Sequence, residues 1–265
     1  MSVAEQYSVN EHVKVTSEII GSCIKVQNLS KSFGANQVLK GVSLKIDEGS
    51  MVSLIGANGS GKSTLLRSTV RLIEPDAGEA YLFGTKLNGL SQSKISKVRR
   101  NVGFVFQYHN LALRLSALSN VIHGALGRSN SPRLWMQGFA PQELREQALE
   151  CLNTVGLAHI ARRQVRHLSG GQSQRVAVAR ALMQKPKLII ADEPVASLDP
   201  QSGEEIMELF CRLNQENGIT IVFTSHNLEH ATQYAQRIVG LQSGVLALDQ
   251  ATDDVSIAEL RGFYE

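Results

Sequence analysis

The run Gly56-Ala57-Asn58-Gly59-Ser60-Gly61-Lys62-Ser63 constrains this chain more than any other, because it fits G-x-x-x-x-G-K-[ST] and that pattern works only between a strand and a helix. Gly59 and Gly61 let backbone N–H groups turn inward toward phosphate oxygens that side chains there would obstruct. Lys62 puts a compact positive charge on the β and γ phosphates of a nucleotide, and Ser63 offers its hydroxyl to Mg²⁺. A helix starting near Ser63 adds its positive dipole end, which extends the binding loop to Thr64. The apolar run Met51-Val52-Ser53-Leu54-Ile55 reads as a buried parallel strand, and Leu65, Leu66, Val70 and Ile73 give the following helix an apolar face. An α/β fold with a parallel-sheet core is the expected class.

Periodicity organises the rest. Residues 24 to 46 alternate apolar and polar in short runs broken by Gly34 and Gly41, which predicts a small antiparallel sheet with Phe33 in one of its turns. From about Ser91 to Arg180 the pattern becomes largely helical, with Pro141 at a helix start, Leu144, Ala148, Leu152 and Val155 on one face, and Gly156 at the end. This predicts an inserted helical subdomain. Strand signals return at Leu188 to Ala191 and Ile219 to Phe223, flanking an amphipathic helix that carries Ile206, Met207, Leu209, Phe210 and Leu213. The expected division is a tail over residues 1–22 and one nucleotide-binding domain over 23–265, with the helical subdomain at about 91–180.

Two acids, Asp192 and Glu193, follow the strand Leu188-Ile189-Ile190-Ala191. Adjacent residues at a strand end point to opposite sides, so different duties are expected: Asp192 in the Mg²⁺ shell, Glu193 polarising the attacking water. Ser169-Gly170-Gly171 opens another helix, with Val176, Val178 and Leu182 on its apolar face, and so makes a second anion site at a helix N-terminus. One nucleotide already sits on the first loop, so a partner chain's phosphate would use the spare site. Two sandwiched nucleotides would then hold a dimer closed until hydrolysis released it.

Composition sets modest bounds. The chain has 265 residues, 43% hydrophobic and 19% charged, which suits one sizeable globular domain. A net charge of +3 is too small to argue for nucleic acid. Cys23, Cys151 and Cys211 are odd in number, far apart and without C-x-x-C spacing, as expected of idle thiols in a reducing compartment. Residues 1–22 contain Glu5, Glu11 and Glu18 and no apolar run of seven, which excludes a secretory leader, and no stretch approaches 18 apolar residues. A cytosolic chain that does not itself cross a membrane is expected.

Taken together, Gly56 to Ser63, Gln107 after Val102-Gly103-Phe104-Val105-Phe106, Leu168-Ser169-Gly170-Gly171-Gln172, Leu188 to Glu193, Ser197-Leu198-Asp199 and His226 after Phe223-Thr224-Ser225 resemble the ATP-binding subunits of ABC transporters. The resemblance covers nearly all of residues 23–250. It implies a P-loop NTPase cassette with a RecA-like core and ATP with Mg²⁺ as ligands. It also implies a head-to-tail homodimer in which Ser169, Gly170, Gly171 and Gln172 of one chain meet the γ-phosphate held by the other. By the same resemblance Phe33 stacks on adenine, Gln107 senses the γ-phosphate and Mg²⁺ and links the site to a membrane subunit, His226 orients the γ-phosphate, and Asp199 lies at the dimer contact. Partners so implied are integral membrane permease subunits and, indirectly, a periplasmic solute-binding protein, with the cassette on the cytoplasmic face of the inner membrane.

Within the family, Asn120 to Gly127, Trp135, Arg180 to Gln184 and Ala191 to Pro200 are similar to bacterial phosphonate-import ATPases, as is an end at Glu265 without an added regulatory domain. Phosphite or another phosphorus oxyanion is nearly as compatible. Ser173 stands where a Gln is common, and Asn227 follows His226 in place of the usual acid or Gln; neither makes an indispensable phosphate contact. The competing readings are a methionine, amino-acid or lipoprotein-release ATPase within transport, and a soluble ABC protein of the ribosome or DNA outside it. The latter normally carries two cassettes or a coiled-coil insertion, whereas this chain has one cassette and no sustained heptads.

Overall fold

A computed structural model describes residues 21–107, 110–128 and 137–264. Tyr108, Trp135, Glu265 and residues 1–20 of the expected tail lie outside the described residues. The chain opens with β1 (Ser22–Phe33), β2 (Asn36–Asp47) and β3 (Met51–Ile55), then α1 (Lys62–Thr69), β4 (Ala77–Leu82), β5 (Thr85–Lys86), α2 (Gln92–Arg99) and β6 (Val102–Val105). Next come α3 (Ala117–His123), α4 (Gln142–Thr154) and α5 (Gly170–Leu182). It closes with β7 (Leu188–Ala191), α6 (Pro200–Asn217), β8 (Thr220–Thr224), α7 (Leu228–Tyr234), β9 (Arg237–Gln242), β10 (Val245–Ala251) and α8 (Ile257–Arg261).

Two sheets form. The larger runs β10-β9-β3-β8-β7-β6, parallel throughout except for the antiparallel edge pair β9–β10; the smaller runs β2-β1-β4-β5 and is antiparallel. Both faces of the parallel sheet are covered, and the period-2 geometry of its strands sorts the side chains between them. Val52 and Leu54, Leu188 and Ile190, and Val222 join one core with Leu65, Leu66 and the inner residues of β1 and β2. Met51, Ile189, Ala191, Ile221 and Phe223 face the other way, into a core shared with α3 to α6. The short helix α1 is thus packed between the sheets, where full burial of Leu65 and Leu66 stabilises by about 2 kcal/mol each.

The structure refines several expectations. α1 ends at Thr69 with Val70 as its cap, and Arg71 turns to φ 53°, so Ile73 lies beyond the helix it was expected to extend. Phe33 is the last residue of β1, paired with Asn36 across the turn at residues 34 and 35, and not in the turn itself. The antiparallel sheet also draws β4 and β5 from beyond α1. The helical stretch expected from Ser91 is interrupted by β6, whose buried Val102 and Val105 place it in the parallel sheet beside β7. The face of α4 is as expected: Ala148 and Leu152 are fully buried, and Gly156 ends the turn at φ 75°.

Candidate functional site

Parallel pairing puts the C-terminal ends of β3, β6, β7 and β8 at one edge of the sheet: Val105 is level with Ala191, Ala191 with Phe223, and Leu54 with Thr224. Gly56 follows β3 immediately, Gln107 stands two residues past β6, Asp192 and Glu193 follow β7, and His226 stands two residues past β8. Four segments far apart in sequence therefore empty into the crevice where open α/β sheets bind ligands.

At the first of these ends the loop closes on α1. Gly61 caps the helix in a left-handed conformation without a side chain, which leaves the first-turn N–H groups of Lys62, Ser63 and Thr64 for a ligand. Lys62 is buried, and its Nζ donates to the carbonyls of Gly56 at 2.7 Å and Ala57 at 3.1 Å. Burial lowers its pKa, opposed by the charges of Glu193 and Asp192. Asn58 and Gly59 are exposed, whereas Ser60 is buried and its Oγ makes no hydrogen bond among the described residues. The loop thus combines ready amides, a buried ammonium and one buried hydroxyl still to be satisfied, which a phosphate oxygen would do.

Asp192 and Glu193 do diverge. Asp192 is buried and accepts from Ser63 Oγ at 2.8 Å and Thr224 Oγ1 at 3.3 Å on one oxygen and from Arg67 Nη2 at 3.1 Å on the other. Ser63 and Asp192 are hard oxygen donors of the kind Mg²⁺ prefers. Among the described residues no group of three or more His, Cys, Asp or Glu could hold a metal. Glu193 sits at φ 51°, a conformation uncommon for a non-glycine residue, held by its N–H donating to Thr224 Oγ1 at 2.6 Å. Its Oε1 lies 2.7 Å from His226 Nε2. His226, expected on the γ-phosphate, is here hydrogen-bonded to the second acid.

Phe33 exposes half its surface, with Lys31 Nζ 5.5 Å from its ring centroid. The adjoining β2 reaches the loop itself, since Val38 O and Leu39 crowd Gly61. Ser169 caps α5 in a reciprocal box with Gln172: its Oγ accepts from Gln172 N and its N–H donates to Gln172 Oε1. That leaves the amides of Gly170 and Gly171 at the helix start, packed near Leu198 and Ser202. No hydrogen bond or ion pair among the described residues joins 169–172 to 56–64. Asp199 caps α6 through Ser202 N at 3.0 Å, and Asn227 caps α7 through Glu229 N at 2.8 Å, which gives the unusual residue after His226 a structural duty.

Past Gln107, the fully buried Asn120 pins the entry to the helical lobe, its side chain bonding both backbone groups of Ala112 and the carbonyl of Ser116. Beside it an open groove of about 420 Å³ is lined by Phe104, Phe106, Asn110, His123, Arg180 and Gln184. Three contributors escaped sequence reasoning: Arg67 on Asp192, Thr224 as the hinge between the acids, and Tyr264, whose hydroxyl donates to Ser225 O at 2.7 Å. Only Arg67, one helical turn past Ser63, carried any sequence signal. The cysteines are free, with burial pushing Cys23 to about 12 and Cys151 to about 11.

Residues 39–196 match the ABC transporter family. Similar relatives include a phosphonates import ATP-binding protein of Nostoc, 45% identical over 90% of this chain and 92% of its own length. Another from Treponema denticola is 41% identical over 88% of this chain and 91% of its own. Among solved structures, a dimeric ATP-binding cassette in a post-hydrolysis state bound to ADP and Pi aligns with a TM-score of 0.77 at 39% identity, covering 86% of this chain and 98% of that one.

Proposed function

The chain belongs to the ABC transporter family, and on that premise we propose that it is the ATP-hydrolysing subunit of a bacterial importer for phosphonate or a related phosphorus oxyanion. The names of its relatives support the solute, and the likeness extends over nine-tenths of the chain. Within 23–265 we assign ATP binding to Gly56–Thr64 with Phe33, and read the lobe that follows Gln107 as the face toward the permease. Docking beside the membrane needs no span of its own, and among the described residues no helix is long and apolar enough to cross one.

The observation that carries the ATPase reading is Glu193: an acid held at positive φ by Thr224, 2.7 Å from His226 and within electrostatic reach of Lys62. Lys62 and the α1 amides bind and orient the phosphates. Ser63 and Asp192 would hold Mg²⁺, which supplies charge neutralisation at the transferred phosphoryl group when bound. Glu193 accepts a hydrogen bond from the attacking water, and His226, on the same carboxylate, holds it in register. In the dimer, Ser169, Gly170 and Gly171 of the partner subunit complete the site, as two free amides at a capped helix start suit a second phosphate contact. The groove near Gln107 is the docking place for a permease segment, and a periplasmic binding protein delivers the solute.

The test is ATP hydrolysis with Mg²⁺. Lys62→Ala weakens ATP binding, whereas Glu193→Gln keeps binding and slows hydrolysis at least about 100-fold. Parental turnover in Glu193→Gln would remove that residue from its role. Stimulation of the assembled complex by phosphonate, and not by methionine, separates the solute classes.

A further inference from the structure

The chain after β10 returns to the site. A turn at Thr252–Asp254 leads to α8, whose start is locked by a reciprocal cap in which Ser256 N donates to Glu259 Oε2 at 2.9 Å and Glu259 N donates to Ser256 Oγ at 3.3 Å. Leu260 is fully buried in a small core with Ile55, Ala231 and Ile238. Phe263 lies on Gly240 so closely that a Cβ there would come within 2.7 Å of its ring. These contacts anchor the segment on β3, α7 and β9 and deliver Tyr264 to the crevice.

Tyr264 touches two parts of it. Its Oη donates to the Ser225 carbonyl at 2.7 Å, and its ring stands edge-on to the His226 imidazole with centroids 6.1 Å apart at 67°. Burial, with the Glu193 charge, raises the phenol's pKa and keeps it a donor. Ser225 and Asn227 bond each other across the turn that carries His226, and Ser225 N donates to Leu54 O of β3 at 3.4 Å; Tyr264 adds a second, shorter tie on the Ser225 carbonyl.

We infer that Tyr264 is a positioning residue that holds the Ser225–His226 turn so that His226 keeps its bond to Glu193. The inference rests on the roles assigned above to Glu193 and His226. It predicts a loss in turnover rather than in nucleotide affinity, since the chemistry of the cradle is untouched while the carboxylate loses its guide.

The experiment is steady-state ATPase kinetics on the full chain with Mg²⁺, comparing the parent, Tyr264→Phe, His226→Gln and the double variant. Tyr264→Phe is expected to stay folded with a thermal midpoint within about 4 °C of the parent and a KM for ATP within about twofold, and to lose about fivefold in kcat, the scale of one hydrogen bond. In the His226→Gln background the same change should cost nothing further. In histidine-labelled protein the His226 imidazole resonance should shift in Tyr264→Phe although the ring is retained. Unchanged kinetics, an equal loss in both backgrounds, or a raised KM at constant kcat would each overturn the inference, the last by placing the effect on the phosphate loop. With the parent active and Glu193→Gln slow, those failures bear on Tyr264 alone; a parent inert toward ATP would sink the ATPase reading and this inference with it.

Discussion

Replacing Gly56 with alanine tests whether the phosphate loop is shaped by crowding or only by backbone conformation. Gly56 sits at φ 141°, which is nearly exclusive to glycine, and a Cβ there would lie 2.2 Å from the Leu241 carbonyl oxygen and 2.8 Å from Ser60 Oγ. Carbon and oxygen ordinarily meet at about 3.3 Å or more, so something must move by about 1 Å. Leu241 belongs to β9, paired in parallel with β3 next to the loop, and cannot retreat without disturbing that ladder. Backbone strain costs about 1–3 kcal/mol and overpacking about as much again, for a total of about 2–6 kcal/mol. Gly59 is the control: it also has positive φ, 81°, but its Cβ would meet nothing within 4 Å, so alanine there costs only about 1 kcal/mol of strain. For a chain of this size each kcal/mol lowers the thermal midpoint by about 2–4 °C. Nucleotide-free melting should show a drop of about 10 °C for Gly56→Ala and about 3 °C for Gly59→Ala. ATP titration should show weakened binding in both, because a side chain at either position obstructs the approach of phosphate oxygens to the inward-turned amides. Equal drops in midpoint would refute the crowding argument, and undiminished ATP affinity in Gly59→Ala would refute the cradle.

Other expected outcomes concern coupling, assembly and acid stability. Gln107→Ala in the assembled complex should reduce solute-stimulated ATPase more than basal ATPase, because Gln107 leads from β6 toward the lobe; equal loss of both rates would make it purely catalytic. Ser169→Arg and Glu193→Gln homodimers should each be nearly inactive, yet mixing them should restore partial activity through one complete site; recovery of nothing, with no crosslink between chains through cysteines placed beside Ser169 and Ser60, would reject the shared site. Asp199 is held below its ordinary pKa of 3.8 by its bonds from Ser202, so its charge stabilises the folded chain above that value and the benefit is lost as pH falls through the lowered one. Asp199→Asn keeps the cap, so its midpoint should fall below the parent's at neutral pH and converge with it in acid; a gap that persists in acid would assign the effect to something other than charge.

The sequence by itself determined the local chemistry. Binding a phosphate needs consecutive amides, a lysine and a helix start, all contained in Gly56–Thr64, and the apolar runs on either side fix the strand and helix that present them. The capped start of α5 at Ser169 and the acid pair after β7 were legible for the same reason, since each is defined by neighbours a few residues away. Boundaries were less so: Ile73 fell outside α1 because Arg71 turned the chain, and β6 left the helical stretch because Val102 and Val105 found partners on β7, more than eighty residues on. Tertiary structure alone decided which groups meet. Parallel register brought Gln107, Asp192 and His226 to the edge where Gly56 leaves β3, and packing set Arg67 on Asp192, Thr224 beneath Glu193 at its positive φ, and Tyr264 beneath His226. Local patterns specify elements because periodicity and capping act within a turn or two. A site assembled from four strand ends and a returning segment depends on pairings between residues remote in sequence, and these arise only when both faces of the sheet are buried.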